Sequence, residues 1–217
     1  MILVPVKKFG DAKQRLSPVL GQAEREALAR AMLEDVLRAI AGVHPRQAVA
    51  IVTGDSWAEQ VARGFGFEII NDPRNESETA AIQMATALCA LRGEDSTLVI
   101  PGDIPLTQSG EIEYILSAAP AEGTVLVPAC DGRGTNAVLR RPADLFPLRF
   151  GNDSFRPHLE AAKSTGRECV VISLPGVALD VDTPSALAKL LDAPGNTQSQ
   201  ELLRMWGQNQ RAVAVNE

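Results

Sequence analysis

Short apolar runs alternate along the first 130 positions with longer stretches in which apolar residues return every three or four places. The runs "MILVPV" (1–6), "QAVAIVT" (47–53), "FEIIND" (67–72), "TLVI" (97–100) and "GTVLVPA" (123–129) read as strands. The stretch 22–42 reads as a helix. Ala23, Ala27, Leu28, Ala31, Val36, Leu37 and Ile40 approximate one face, and Gly42 stops it. Helices are also predicted over 55–66, 77–93 and 107–119, the second of these capped by Ser77 and ended by Gly93. Strands that alternate with helices imply right-handed crossovers and an α/β fold with a mostly parallel sheet. Strands that are apolar throughout agree, because parallel strands are covered on both faces.

After residue 130 the rhythm breaks. "TNAVLRR" (135–141) and "ECVVISLPG" (168–176) read as further strands around a helix near 154–165, and "PSALAKLLDA" (184–193) as the last core helix. We read 1–193 as one domain. "PGNTQSQ" (194–200) then reads as polar and loose, and 201–217 as a tail that docks as a helix ("ELLRMWGQ") or stays partly disordered.

Composition narrows the classes. The 217 residues, 45% of them hydrophobic and 22% charged, suit one domain with a sizeable core. A net charge of -6 argues against a nucleic-acid surface but leaves room for a small anionic substrate, since local cations can line a cleft. Cys89, Cys130 and Cys169 have no metal-ligand spacing, fit a reducing compartment and read as core filler. No run approaches a membrane span. The expectation is a soluble, cytoplasmic protein without a nucleic-acid or membrane partner. Whether two copies form a homodimer stays open.

Three places carry candidate chemistry. In "TLVIPGDIPLT" (97–107) a buried strand ends at Pro101 and Gly102 and presents Asp103. A lone carboxylate there is either an ordinary turn acid or a partner for a cation. In "VALDVDTPSAL" (177–187) Asp180 and Asp182 stand two apart, so an extended backbone points both the same way. Two such carboxylates share a site poorly without a cation, although Asp182 or Thr183 could instead cap the helix that Pro184 begins. Together the three aspartates form a candidate Mg²⁺ site, since Mg²⁺ takes a few carboxylates plus substrate phosphate oxygens. The third place is the loop "VPVKKFGDAKQRLS" (4–17), with Lys7, Lys8, Lys13 and Arg15 at the sheet edge where α/β proteins bind ligands. Neither the dinucleotide glycine fingerprint nor the P-loop is present, so side-chain cations would hold a phosphate.

"VPVKKFGDAKQRL", "PGDIPL", "GRGTNAVL", "FGNDSFRPHLEAA" and "LDVDTPSAL" occur in that order, and over residues 2–191 the chain resembles the 2-phospho-L-lactate guanylyltransferase family, which includes phosphoenolpyruvate guanylyltransferases of coenzyme F420 biosynthesis. The resemblance implies a Rossmann-like nucleotidyltransferase fold, GTP as donor and a small phosphorylated carboxylate as acceptor: 2-phospho-L-lactate, phosphoenolpyruvate or 3-phosphoglycerate. It implies Asp103, Asp180 and Asp182 as metal ligands, with Asp103, Lys7, Lys13 and Arg15 catalytic. Thr135, Gly151 and Ser154 match the family's acceptor-binding residues.

The loop "DGRGTN" (131–136), with Arg133 and two glycines, could also bring backbone N–H groups to an anion. Ser154 or Asp153 would cap the helix that follows, whose N-terminus is a ready anion site. His158 and His44 read as packing or structural residues. One segment departs from the family: "NESETAAIQ" (75–83) stands where members carry a "GLN-A" type segment near the base. A different nucleotidyltransferase, for molybdopterin or a sugar phosphate, therefore remains an alternative, and a non-catalytic nucleotide-binding module is a more distant one.

Overall fold

The N-terminal apolar run forms β1 (Ile2–Val6), buried at every position. It lies between β2 (Val49–Thr53) and β4 (Thr97–Val99), parallel to both. In this computed structural model, which describes residues 1–214 except Asn152 and the side chains of Asp11 and 208–214, seven strands form one sheet. Its order is β3-β2-β1-β4-β6-β5-β7, with β3 at Glu68–Asn71, β5 at Gly123–Pro128, β6 at Thr135–Arg141 and β7 at Glu168–Val171. Only β6 runs antiparallel to its neighbours β4 and β5. The sheet is thus mixed and mostly parallel, as the alternation predicts.

Successive β1 residues point to opposite faces. Ile2, Val4 and Val6 pack with Leu28, Met32 and Leu33 of α1 (Gln22–Ala41). Leu3 packs on the other face with Ala81, Ile82 and Ala85 of α3 (Glu78–Leu91). Side-chain caps start two helices, and that of Ser77 acts as read. Asp55 accepts from Trp57 N and Ala58 N at 3.0 Å to start α2 (Ser56–Phe65), and Ser77 accepts from Ala80 N at 3.1 Å to start α3. The remaining helices are α4 (Ser109–Ser117), α5 (Phe155–Ser164), the short α6 (Pro175–Ala178), α7 (Pro184–Asp192) and α8 (Gln198–Ala214).

Three expectations are corrected. The strand expected to reach 176 ends at Val171, because Pro175 opens α6. Of the cysteines only Cys89 is buried filler; Cys130 is exposed and Cys169 half-buried. The stretch 194–200 is not loose. Asp35 of α1, itself buried, accepts from Gln198 N (2.8 Å), Ser199 N (2.9 Å) and Ser199 Oγ (2.7 Å), satisfying the first N–H groups of α8 from a distant helix. Gln200 Nε2 donates to Leu190 O and Ala193 O, and Leu203 is buried in the core. The tail docks on α1; its residues 215–217 lie outside the described residues.

Candidate active site

The carboxyl end of β4 delivers Asp103. Ile100 is fully buried, and its N–H continues the ladder to Leu3 O before Pro101 and Gly102 turn the chain outward. Val181 N then donates to Asp103 O at 3.1 Å, which pins the extended segment after α6 against this turn. Val181 is buried, so Asp180 and Asp182 on either side of it point toward the cleft. Thr183, not Asp182, caps α7 by accepting from Ala186 N at 3.2 Å.

Lys13 joins the two acidic elements. Its Nζ lies 2.6 Å from Asp103 Oδ2 and 2.6 Å from Asp182 Oδ1, with the lysine side chain 9% exposed. Lys13 has φ +54°, a left-handed conformation that costs a non-glycine residue on the order of 1 kcal/mol. Burial works against the charge on Lys13, but the two carboxylates override it and hold its pKa above that of a free lysine. Burial also opposes ionisation of Asp182, yet Lys13, with Arg15 adding to the effect, keeps its pKa below the usual value. Asp180 differs: desolvation raises its pKa and Asp103 adds to this, against hydrogen bonds from Asn136 Nδ2, at 3.2 Å, and from its own backbone.

Two cavities meet at this cluster. The larger, about 820 Å³, runs under the first loop and is lined by Lys7, Lys8 and Lys13. Lys7 Nζ is shielded from solvent, has no hydrogen-bond partner among the described residues and lies 3.8 Å from Asp72. The smaller, about 500 Å³, is lined by Arg15, Thr135, Gly151, Ser154, Asp180 and others. Glu78, Pro101, Asp103 and Asp182 border both.

Glu78 is a site residue that sequence reasoning missed. It is the first residue of α3, in the departing segment "NESETAAIQ". Desolvation, then the nearby charge of Asp103, pushes its pKa up to about 7. Its signal was that departure: an acid stands in a stretch read only for a missing pattern.

In the second cavity the expected residues converge, with different bonds from those foreseen. Ser154 makes no side-chain cap. Its Oγ accepts from Thr135 N at 3.0 Å and donates to Thr135 Oγ1 at 3.3 Å. The "DGRGTN" backbone does not offer its amides to an anion: Arg133 N and Gly134 N donate to Asp131 Oδ1, and Gly132 N to Ala129 O. Gly151 has φ +129° with open space where a Cβ would stand, so backbone conformation, not close approach, calls for glycine. Arg133 forms a two-pronged ion pair with Asp153 at the rim, its Nη2 contact at 3.0 Å. His158 is 1% exposed and binds Thr135.

Hard oxygen donors facing phosphate-sized space suit Mg²⁺. Asp103 and Asp182 already accept a cation, and among the described residues Asp180 has no basic hydrogen-bond partner. Among the described residues no three His, Cys, Asp or Glu side chains converge enough to enclose a metal alone. The three aspartates read from the sequence thus form no closed cage by themselves, with Lys13 standing between two of them, and a Mg²⁺ ion there would need oxygens from a substrate phosphate to complete its shell.

Fold and site together define a nucleotidyltransferase-like α/β protein: basic first loop, acid after the fourth strand, two adjoining cavities. The fold is shared with a structure from Desulfovibrio desulfuricans G20 assigned to the nucleotide-diphospho-sugar transferases (TM-score 0.75, 22% identity, 94% of this chain and 93% of that one) and with a Methanothermobacter nucleotidyl transferase (TM-score 0.59, 17% identity, 94% and 97%). The model of the CofC-like guanylyl transferases matches residues 1–212, and the chain belongs to that family. It is similar to the 2-phospho-L-lactate guanylyltransferase of Methanothermobacter thermautotrophicus (33% identity; 93% of this chain, 88% of the relative). It is also similar to the phosphoenolpyruvate guanylyltransferase of Roseiflexus castenholzii (35%; 93% and 92%) and the 3-phospho-D-glycerate guanylyltransferase of Colwellia psychrerythraea (31%; 94% and 96%).

Proposed function

We propose that the protein transfers GMP from GTP to a small phosphorylated carboxylic acid and releases pyrophosphate, a reaction suited to coenzyme F420 biosynthesis. The observation that carries this reading is the meeting of a lysine-lined cavity and a hydroxyl-lined cavity across Asp103, Asp182 and Glu78. Two substrates, one on each side, would bring their reacting atoms together at that border.

The lysine-lined cavity suits the triphosphate, with Lys7 and Lys13 as point charges and Arg15 reaching in from the second cavity. The acceptor sits against Thr135, Gly151 and Ser154. Its phosphate oxygen attacks the α-phosphorus of GTP in line; a new P–O bond forms as the bond to the β-phosphate bridge breaks, and pyrophosphate leaves. No residue needs to form a covalent intermediate. The protein contributes orientation and fixed charge. Asp103 and Asp182, with Asp180, would hold Mg²⁺, which when bound neutralises charge on the attacking and leaving oxygens. Lys13, held between two of those carboxylates at the border of both cavities, would bring its charge to a phosphate oxygen bound there.

The "NESETAAIQ" departure keeps a second reading in view, transfer of another nucleotide. A panel of GTP, ATP, CTP and UTP against 2-phospho-L-lactate, phosphoenolpyruvate and 3-phosphoglycerate, with mass detection of the product, tests both. The expected result is a Mg²⁺-dependent guanylylated acid. A higher kcat/KM with another nucleotide would reject the donor assignment, and absence of any adduct would reject the reaction.

A further inference from the structure

His158 lies on α5, one turn beyond Ser154, and is 1% exposed. Its two nitrogens have distinct partners. Arg149 N–H donates to Nε2 at 2.8 Å, so Nε2 is the acceptor nitrogen of a neutral ring. The ring proton is then on Nδ1, 3.0 Å from Thr135 Oγ1. Burial, with Arg140 adding to it, lowers the pKa of His158 to about 4, in keeping with the neutral ring those bonds require.

The consequence falls on Thr135. Its Oγ1 accepts from His158 Nδ1–H and from Ser154 Oγ–H, so both lone pairs are used. A hydroxyl with both lone pairs occupied can interact further only by donating its proton. Thr135 lines the second cavity, and both partners that fill its lone pairs are more than nine-tenths buried.

We infer that His158 is a positioning residue: its neutral ring fixes Thr135 as a hydrogen-bond donor to an anionic oxygen, carboxylate or phosphate, of the acid bound in the second cavity. This rests on the reading of that cavity as the acceptor site. The chemistry selects oxygens that accept and leaves Thr135 no lone pair for a ligand donor.

Two substitutions separate this role from packing. Asparagine places an amide N–H where Nδ1 stands and keeps the donor to Thr135; leucine does not. Neither accepts from Arg149 N–H, so a structural loss is common to both. With acceptor KM from the transfer assay and Kd of the same acids by calorimetry, His158→Leu should weaken the acid about ten- to a hundredfold. His158→Asn should stay within about threefold, and the KM for GTP should not move in either. Thr135→Val should reproduce the leucine loss, and adding His158→Leu to it should cost the acid nothing more. Equal losses in the asparagine and leucine variants, or losses that multiply in the double variant, would overturn the inference. If His158→Leu fails to fold, Thr135→Val decides alone: an unchanged acid Kd overturns it, and a tenfold loss absent from Thr135→Ser supports it. If no acid is guanylylated but these Kd shifts hold, the reaction fails and the positioning role stands; if transfer occurs and the Kd values do not respond, the reverse holds.

Discussion

The two cavities are built by opposite means. At their border the elements are joined by charge: one ammonium, Lys13, bridges Asp103 after β4 and Asp182 before α7. In the wall of the second cavity they are joined by neutral groups, Thr135 and Ser154 with His158 behind them, each at most 6% exposed. A buried charged cluster is costly to form and strongly destabilised if one partner goes, yet a ligand that brings its own charge can exchange with a member. A satisfied neutral network has no such freedom and holds one arrangement. On the proposed function, the charged border would change partners as a nucleotide binds, while the neutral network would hold Thr135 in one arrangement.

The largest expected effect breaks the charged side. Lys13→Met should remove the ammonium that bridges Asp103 and Asp182 and leave Arg15 as a weaker counter-charge; because both carboxylates are partly exposed, the cost should be about 1–3 kcal/mol in unfolding free energy. Millimolar Mg²⁺ should restore part of the loss in the variant and add much less to the parent. Chemical denaturation with and without Mg²⁺ measures it. A Lys13→Met protein as stable as the parent in chelator would mean that the bridge carries no such energy.

Asp103→Asn comes next. It keeps shape and removes one charge, so the fold should survive while kcat falls about a hundredfold or more. Near-parent turnover at limiting Mg²⁺ would remove Asp103 from the site.

How much of this was legible follows the same division. The apolar runs marked the strands, and punctuation at Ser77 and Pro184 marked helix starts, because those signals are local. Asp103, Asp180 and Asp182 were legible because turn chemistry and two-residue spacing are local too. Lys13 was legible as a cation, but its place between two carboxylates 90 and 169 residues away was not. The same holds for Asp35 capping α8 and for His158 reading Thr135: each role belongs to a partner brought near only by folding. Ser154, read with Asp153 as a candidate cap, stands at the N-cap position, but its oxygen accepts from Thr135 N–H, since serine ahead of a helix looks the same whichever N–H it accepts from.

The smallest effect sharpens the border through Glu78, the acid that both cavities share. Its pKa is raised from 4.5 to about 7, so between those values the folded protein holds a proton that the unfolded chain has lost. Stability from this group therefore falls as pH rises through that window, and the penalty is fully present above pH 7. His158 works in the opposite direction. Its folded pKa of about 4 lies below the ordinary 6.5, so its contribution is present above 6.5 and is lost as pH falls toward 4. The parent's pH profile mixes the two, but the difference between parent and Glu78→Gln isolates Glu78, since His158 is common to both. In chelator, Glu78→Gln should match the parent near pH 4.5 and be more stable at pH 8. A full shift of this size corresponds to roughly 3 kcal/mol; with Glu78 only half-buried, solvent screening reduces the expected gain to about 1–2 kcal/mol. Urea denaturation at the two pH values measures it. A stability difference that does not change with pH would mean that neither burial nor the charge of Asp103 raises the pKa of Glu78 at this border.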